Sequence, residues 1–339
     1  MKTLFSVTTL IALLAVPVMA QDAAAPAAPA APAAPAAVAA TQAPAFIIYA
    51  DGNKDDAFIV AATKTQIRYK TTPQAIDTED MNISECQAVY LLEPPIYRQA
   101  MEEYQGRKYA EAKENFAKCK VMFKPTTALD HNYSTLGAFY ELECLRRLGD
   151  LEGLSKALEG FRKDGLMRDH HLRQLELYVF WDAVRTKSWD RVVALGNDRM
   201  QEKLPSYQRA QVAYCMGLAY EALKQESKAL NSFNAALVAD AGGTEEIAEQ
   251  SAQGIMRVHL ANEEVKLAMR LWGTEDENKF STGYLNLQEA GAIAALYELT
   301  LGNGKKLSAS QSILLKYKPA INKPDASKEA AKPAIPEKK

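Results

Sequence analysis

Apolar and polar positions change rhythm along the chain. Between Phe46 and Leu92 the apolar residues fall in short runs rich in β-branched and aromatic side chains: Phe46 to Ala50, Ala57 to Ala62, Thr65 to Thr72 and Gln87 to Leu92. Turn-forming residues, Asp51 to Asp56, separate the first two runs. This pattern predicts four or so short strands. Their length suits a small SH3-like or Sm-like barrel, or a meander packed against the first helix. From Pro95 onward the apolar residues recur at helical intervals. The same rhythm continues through Glu245 to Trp272, Leu285 to Leu301 and Ser308 to Tyr317. The expected fold class is mainly α, with a small β domain (46–94) ahead of a helical domain (95–317).

The helical part repeats itself. In the segment from Tyr214 to Leu237, Gly217 is followed by Tyr220 in a first helix and by Ala229, Phe233 and Ala236 in a second. Small residues at 217 and 229 allow two antiparallel helices to approach closely, and Tyr220 and Phe233 fill the space around them. A second unit has Tyr109, Ala112 and Phe116 after a turn at Gly106, Arg107 and Lys108. A third turns at Gly149-Asp150 and carries Leu151, Leu154, Leu158 and Phe161. A fourth keeps Trp189 and Val192 but has Gly196 where a large aromatic is expected. First helices are predicted to start near residues 96, 138, 176 and 213, a period of ~40 residues.

Composition changes the picture at both ends. Lys2, the apolar run Leu10 to Val18 and the small residues Val18 and Ala20 make residues 1–20 an expected signal peptide, cleaved before Gln21. Residues 21–45 are almost entirely Ala and Pro, a composition that favours an extended spacer reaching on the order of 75 Å at ~3.1 Å per residue. Residues 318–339 repeat Lys, Pro, Ala and Glu and are expected to form a disordered, slightly basic tail. No run is apolar enough to span a bilayer, so the expectation is an exported protein, periplasmic or outer-surface associated. A net charge of −2 leaves no electrostatic footprint for nucleic acid.

The units from about residue 95 to 240 resemble the tetratricopeptide-repeat family, most specifically at 213–239. With the leader and the β segment, the whole resembles exported repeat proteins of bacterial envelopes. The resemblance implies a superhelix with a concave groove that binds peptides or protein segments, and no chemistry. It places Tyr97, Phe139, Leu177 and Tyr214, then Met101, Glu143, Trp181 and Leu218, then Tyr104, Arg146, Val184 and Glu221 on the groove. The Lys and Asn pattern that clamps a C-terminal carboxylate in chaperone-binding members is absent. Two states of the groove remain open: free for an apolar segment, or filled by the chain's own β domain or C-terminal helices.

Candidate chemistry is sparse. His170 and His171 are adjacent, so on a helix they point about 100° apart and do not share a metal; a polar loop or helix entrance is expected there. Arg146-Arg147 reads as a solvated helix face. Gly302 to Lys305 lacks the upstream glycine of a phosphate loop. Of the four cysteines, Cys119 and Cys144 are the expected pair if a disulfide forms, because they fall on neighbouring helices. No cofactor or metal is expected. The functional expectation is a non-catalytic envelope scaffold or adaptor for protein partners; the alternative is a structural subunit of a self-associating, secretion or surface assembly.

Overall fold

The computed structural model describes residues 42–240 and 245–319. The expected signal peptide, nearly all of the Pro/Ala spacer and the tail beyond residue 319 lie outside the described residues. The strands are β1 (Ala43–Ile48), β2 (Lys54–Ala62), β3 (Gln66–Lys70), β4 (Glu79–Asn82) and β5 (Ala88–Leu91). They form one antiparallel sheet in the order β4-β3-β2-β1-β5. The sheet is open, with β4 and β5 as its edges, which favours the meander over the closed barrel.

Alternation sets the inner face. Ala43, Ala45 and Ile47 of β1, Ala57 and Ile59 of β2, and Ile67 and Tyr69 of β3 are buried, with intervening residues more exposed. They share one core with Tyr97, Ala100, Phe116 and Cys119 from the first helices. The sheet therefore has no separate core of its own. β1 begins at Ala43, inside the stretch whose composition reads as spacer. Pro44 is tolerated because its missing N–H falls opposite Leu92, just past the end of β5, while its carbonyl accepts the Leu92 N–H at 2.8 Å.

The helical part is a series of packed consecutive pairs. These are α1 (Pro95–Gln105) with α2 (Tyr109–Met122), α3 (Tyr133–Leu148) with α4 (Leu151–Glu159), α5 (Asp169–Arg185) with α6 (Trp189–Arg199), and α7 (Ser206–Ala222) with α8 (Glu226–Ala239). Then come α9 (Glu245–Ala261), α10 (Glu263–Leu271), α11 (Thr282–Leu296) and the short α12 (Ala309–Ser312). A π turn (Tyr297–Leu301) extends α11, and a 3-10 turn (Ile313–Tyr317) packs back on it. In each of the first four pairs the turn passes through one left-handed residue: Arg107, Gly149, Lys187 and Lys224, with φ of 63°, 73°, 54° and 58°. A shared turn conformation at a shared place marks these pairs as structural repeats, even where the sequence match is poor.

Three first helices start earlier than their pattern suggests, at Tyr133, Asp169 and Ser206. The extra turns carry polar residues that serve the fold. Asn132 caps α3 by accepting the Thr135 N–H at 2.7 Å, and the Ser134 hydroxyl donates to the Lys120 carbonyl at 2.8 Å. Gly196 is also explained: a Cβ there would lie 2.5 Å from Met216, whose side chain from α7 occupies the space expected for an aromatic.

Cys119 and Cys144 are free thiols, and the expected disulfide is not made. Their helices do pack, but Cys119 sits against Gly137 of α3, whose Cβ position lies 3.4 Å from the Cys119 Cβ. Cys144 is seven residues further on, about 10 Å along the helix at ~1.5 Å per residue, beyond the ~7 Å Cα separation a disulfide tolerates. Burial pushes both thiols up to about 12. In native alkylation followed by mass spectrometry, only half-buried Cys86 is expected to react; all four cysteines should react after denaturation.

Candidate functional site

The expected groove lining is brought together mostly as buried core. Tyr97, Phe139, Leu177, Trp181 and Tyr214 are all buried. Tyr97 packs edge-on against Phe116, Tyr133 and Tyr140, with ring centroids 5.7, 4.9 and 6.2 Å away. Phe139 lies 4.4 Å from the His171 ring. The Trp181 indole donates to Gln211 at 3.1 Å, inside the cluster that also holds Leu177 and Tyr214. Met101, Tyr104, Val184, Leu218 and Glu221 keep partial exposure. Glu221 is spoken for by Arg257 of α9, at 2.8 and 3.0 Å.

A buried ionic cluster crosses this seam. Arg146 forms two bonds of 3.0 Å to Glu143, one turn back on α3, and reaches Glu246 of α9 at 3.1 Å. Arg147 donates to Glu246 at 2.8 Å and to the Tyr104 and Tyr109 hydroxyls at 2.8 and 3.1 Å. The Tyr178 hydroxyl donates to Glu143 at 2.7 Å. Arg107, in the turn after α1, pairs with Glu245. Arg146, expected with Arg147 on a solvated face, is therefore buried and Arg147 is mostly covered, with side-chain exposures of 1% and 15%. Burial alone would raise the Glu143 carboxyl; Arg146, Arg147 and the Tyr178 hydroxyl outweigh it and hold that carboxyl below its ordinary value.

The carboxylates at 245 and 246 also suit the first turn of α9, where unpaired backbone N–H groups favour negative charge. The cluster thus fastens the start of α9 to α3 and to the α1–α2 turn. Most of the large aromatic side chains that the sequence places on the groove are thus buried, and the start of α9 is tied to α3 beside them.

The histidine pair sits at the entrance of α5. Only His171 is buried, with Nε2 3.3 Å from the Tyr140 hydroxyl. Burial first, then His170 and Arg168, pull its pKa down to about 4. Among the described residues no cluster of His, Cys, Asp and Glu could hold a metal ion. The unfolded chain therefore binds a proton at His171 before the folded one does. Stability should fall as pH drops from about 6.5 to about 4, with a slope of at most ~1.4 kcal/mol per pH unit from this group. Melting temperatures across that window should decline, and His171→Gln should flatten the decline.

The opening that the sequence did not reveal lies at the sheet. Among the described residues β5 pairs only with β1, and no described strand lies along its other edge. Leu92 donates to Pro44, and H-bonding alternates along an antiparallel strand; Val89 and Leu91 therefore turn their N–H and C=O groups outward. A cavity of about 780 Å³ follows this strand. Five consecutive residues, Gln87 to Leu91, line it. A cavity against one face would touch alternate residues, so this one runs along the edge. Its far wall is Ala128 to His131, Tyr133, Leu136 and Arg168.

The opposite edge differs. β4 reads Glu-Asp-Met-Asn, and its Asp80 is held by Arg68 at 2.8 and 3.0 Å. Charge is a common guard on a sheet edge. β5 reads Ala-Val-Tyr-Leu and carries none; Tyr90 is 60% exposed.

No protein-family model, no curated protein and no solved structure matches the chain. No helix among the described residues is long and apolar enough to cross a membrane.

Proposed function

We propose that this chain is a non-catalytic scaffold or adaptor of the bacterial cell envelope, built on tetratricopeptide-like helix pairs, and that it docks a protein partner. One observation carries the reading: an uncharged strand edge, unpaired among the described residues, lies along the 780 Å³ cavity. The burial of the groove aromatics supports docking at β5 in preference to Phe139 or Tyr214. The repeated left-handed turns and the Gly217 to Ala236 spacing support the family likeness. The leader-like first twenty residues support export.

Cross-linking on intact envelopes followed by affinity purification of the full chain tests this. Recovery of a different protein on the chain supports an adaptor; recovery of the chain alone, as a monomer, defeats the proposal. A structural subunit is the second reading, and one feature favours it. Phe280 is 93% exposed and, with half-exposed Leu267, lines a cavity of about 530 Å³ near the start of α11. If that patch joins copies, light scattering should show a multimer that Phe280→Ser reduces to monomer.

A further inference from the structure

The cavity beside β5 has a chemistry that narrows its partner. Its charged lining is Lys64 and Arg168 against one carboxylate, Asp130, with His131 beside them. Among the described residues neither the Lys64 ammonium nor the Arg168 guanidinium has a hydrogen-bond or ion-pair partner; Arg168 is bonded only through its backbone carbonyl, to the His171 and Leu172 N–H groups. Arg168 also lines the adjoining cavity of about 340 Å³ between α1 and α3, whose carboxylates are Glu93, held by Arg98 at 2.8 Å, and Glu102. An open strand edge thus lies beside unpaired positive charge. The backbone groups of Val89 and Leu91 supply donors and acceptors for one more strand. Lys64 and Arg168 supply the charge preference.

Resting on the edge-docking reading above, we infer that β5 takes an extended, acidic segment of a partner protein as a sixth strand, with its carboxylates drawn to Arg168 and Lys64. Main-chain hydrogen bonds along the added strand give affinity, and side chains in the flanking cavity give specificity. Opposite charge sets partner choice and encounter rate.

The chain's own termini fit poorly. Residues 26–35 carry proline at every third position, which removes N–H groups a new strand must donate, and the proline-free residues 36–42 hold no carboxylate to answer Arg168 and Lys64. Residues 318–339 carry more lysine than acid, the wrong sign for this cavity. A second copy paired edge to edge would bring only another uncharged β5 against Lys64 and Arg168, with nothing to answer them.

Three short fluorescein-labelled peptides serve as probes, sharing an alternating Thr-Val core. One is flanked by Glu, one by Lys, and one keeps the Glu flanks with prolines in the core. Anisotropy titrations use the full chain at low salt. The Glu-flanked peptide should bind about tenfold or more tightly than the Lys-flanked one, and the proline version should not bind. Arg168→Glu with Lys64→Glu, both on exposed side chains, should reverse the preference. Val89→Pro is the fold-sparing control: its lost N–H faces outward, so no bond within the sheet is removed, yet binding should disappear.

Equal binding of the acidic and basic peptides, both lost in Val89→Pro, overturns the charge inference and leaves edge docking standing. Absence of binding by any peptide overturns the inference. Capture of an envelope partner that survives Val89→Pro overturns the inference and its site, while the scaffold reading stands. A dimer in light scattering that Val89→Pro dissociates overturns it in favour of a second copy.

Discussion

Replacing Glu143 with alanine is expected to cost about 3–5 kcal/mol of stability, read from urea denaturation, because it removes one partner of a buried ion pair. Arg146 would keep only Glu246, with its guanidinium still 1% exposed and 5.8 Å over the Trp181 ring. Tyr178 would lose the acceptor for its hydroxyl. The loss should come chiefly from the stranded charge and not from the missing attraction. Glu143→Met together with Arg146→Met should therefore recover much of the stability, since a well-packed apolar replacement avoids burying charge at all. Glu246→Ala should cost less, as its side chain is 11% exposed and Arg146 retains Glu143. Its distinctive effect should be faster hydrogen exchange in the first turn of α9, where the clasp is released. A cost below about 1 kcal/mol for Glu143→Ala would mean that the cluster does not hold the seam closed.

That clasp also explains what the sequence could and could not convey. Local rhythm was enough to predict a β segment followed by helical repeats. The pairing of Gly217, Ala229 and Phe233 was legible because each answers to a neighbour within one helix pair. Strand β4 was missed because Glu79-Asp80-Met81-Asn82 has no strand-like composition. It is held by cross-strand partners, with Tyr69 donating to Glu79 at 2.8 Å and Arg68 paired with Asp80. The covering of Arg146 and Arg147 was illegible for a related reason. Their partner Glu246 lies about a hundred residues away, and only the return of α9 across the repeats brings it there. The β5 edge depends on strand order, and a strand's composition does not say which of its sides is left open.

The second large effect is expected at Phe233, and it tests whether neighbouring pairs stack as one unit. Phe233 is fully buried between α7 and α9. A Cβ at Gly217 would lie 2.5 Å from Cδ1 of its ring, and a Cβ at Gly254 2.7 Å from Cζ at the ring's tip. The two glycines form a slot that the ring fills. Phe233→Ala should cost about 3–5 kcal/mol through lost burial and the cavity left behind. Gly217→Leu alone should cost about 1–3 kcal/mol or more, because the ring is already packed closely against both Gly217 and Gly254. If the slot is one packing unit, the two changes should not add. Leucine at 217 would grow into the space vacated by the ring, and the double variant should be more stable than the sum of the single losses predicts, by about 0.5–3 kcal/mol. Denaturant melts of the four proteins in that cycle read the coupling directly. Additive losses would mean that α7 and α9 adjust independently around α8, and the stacking that joins the fourth pair to the C-terminal helices would then rest on other contacts.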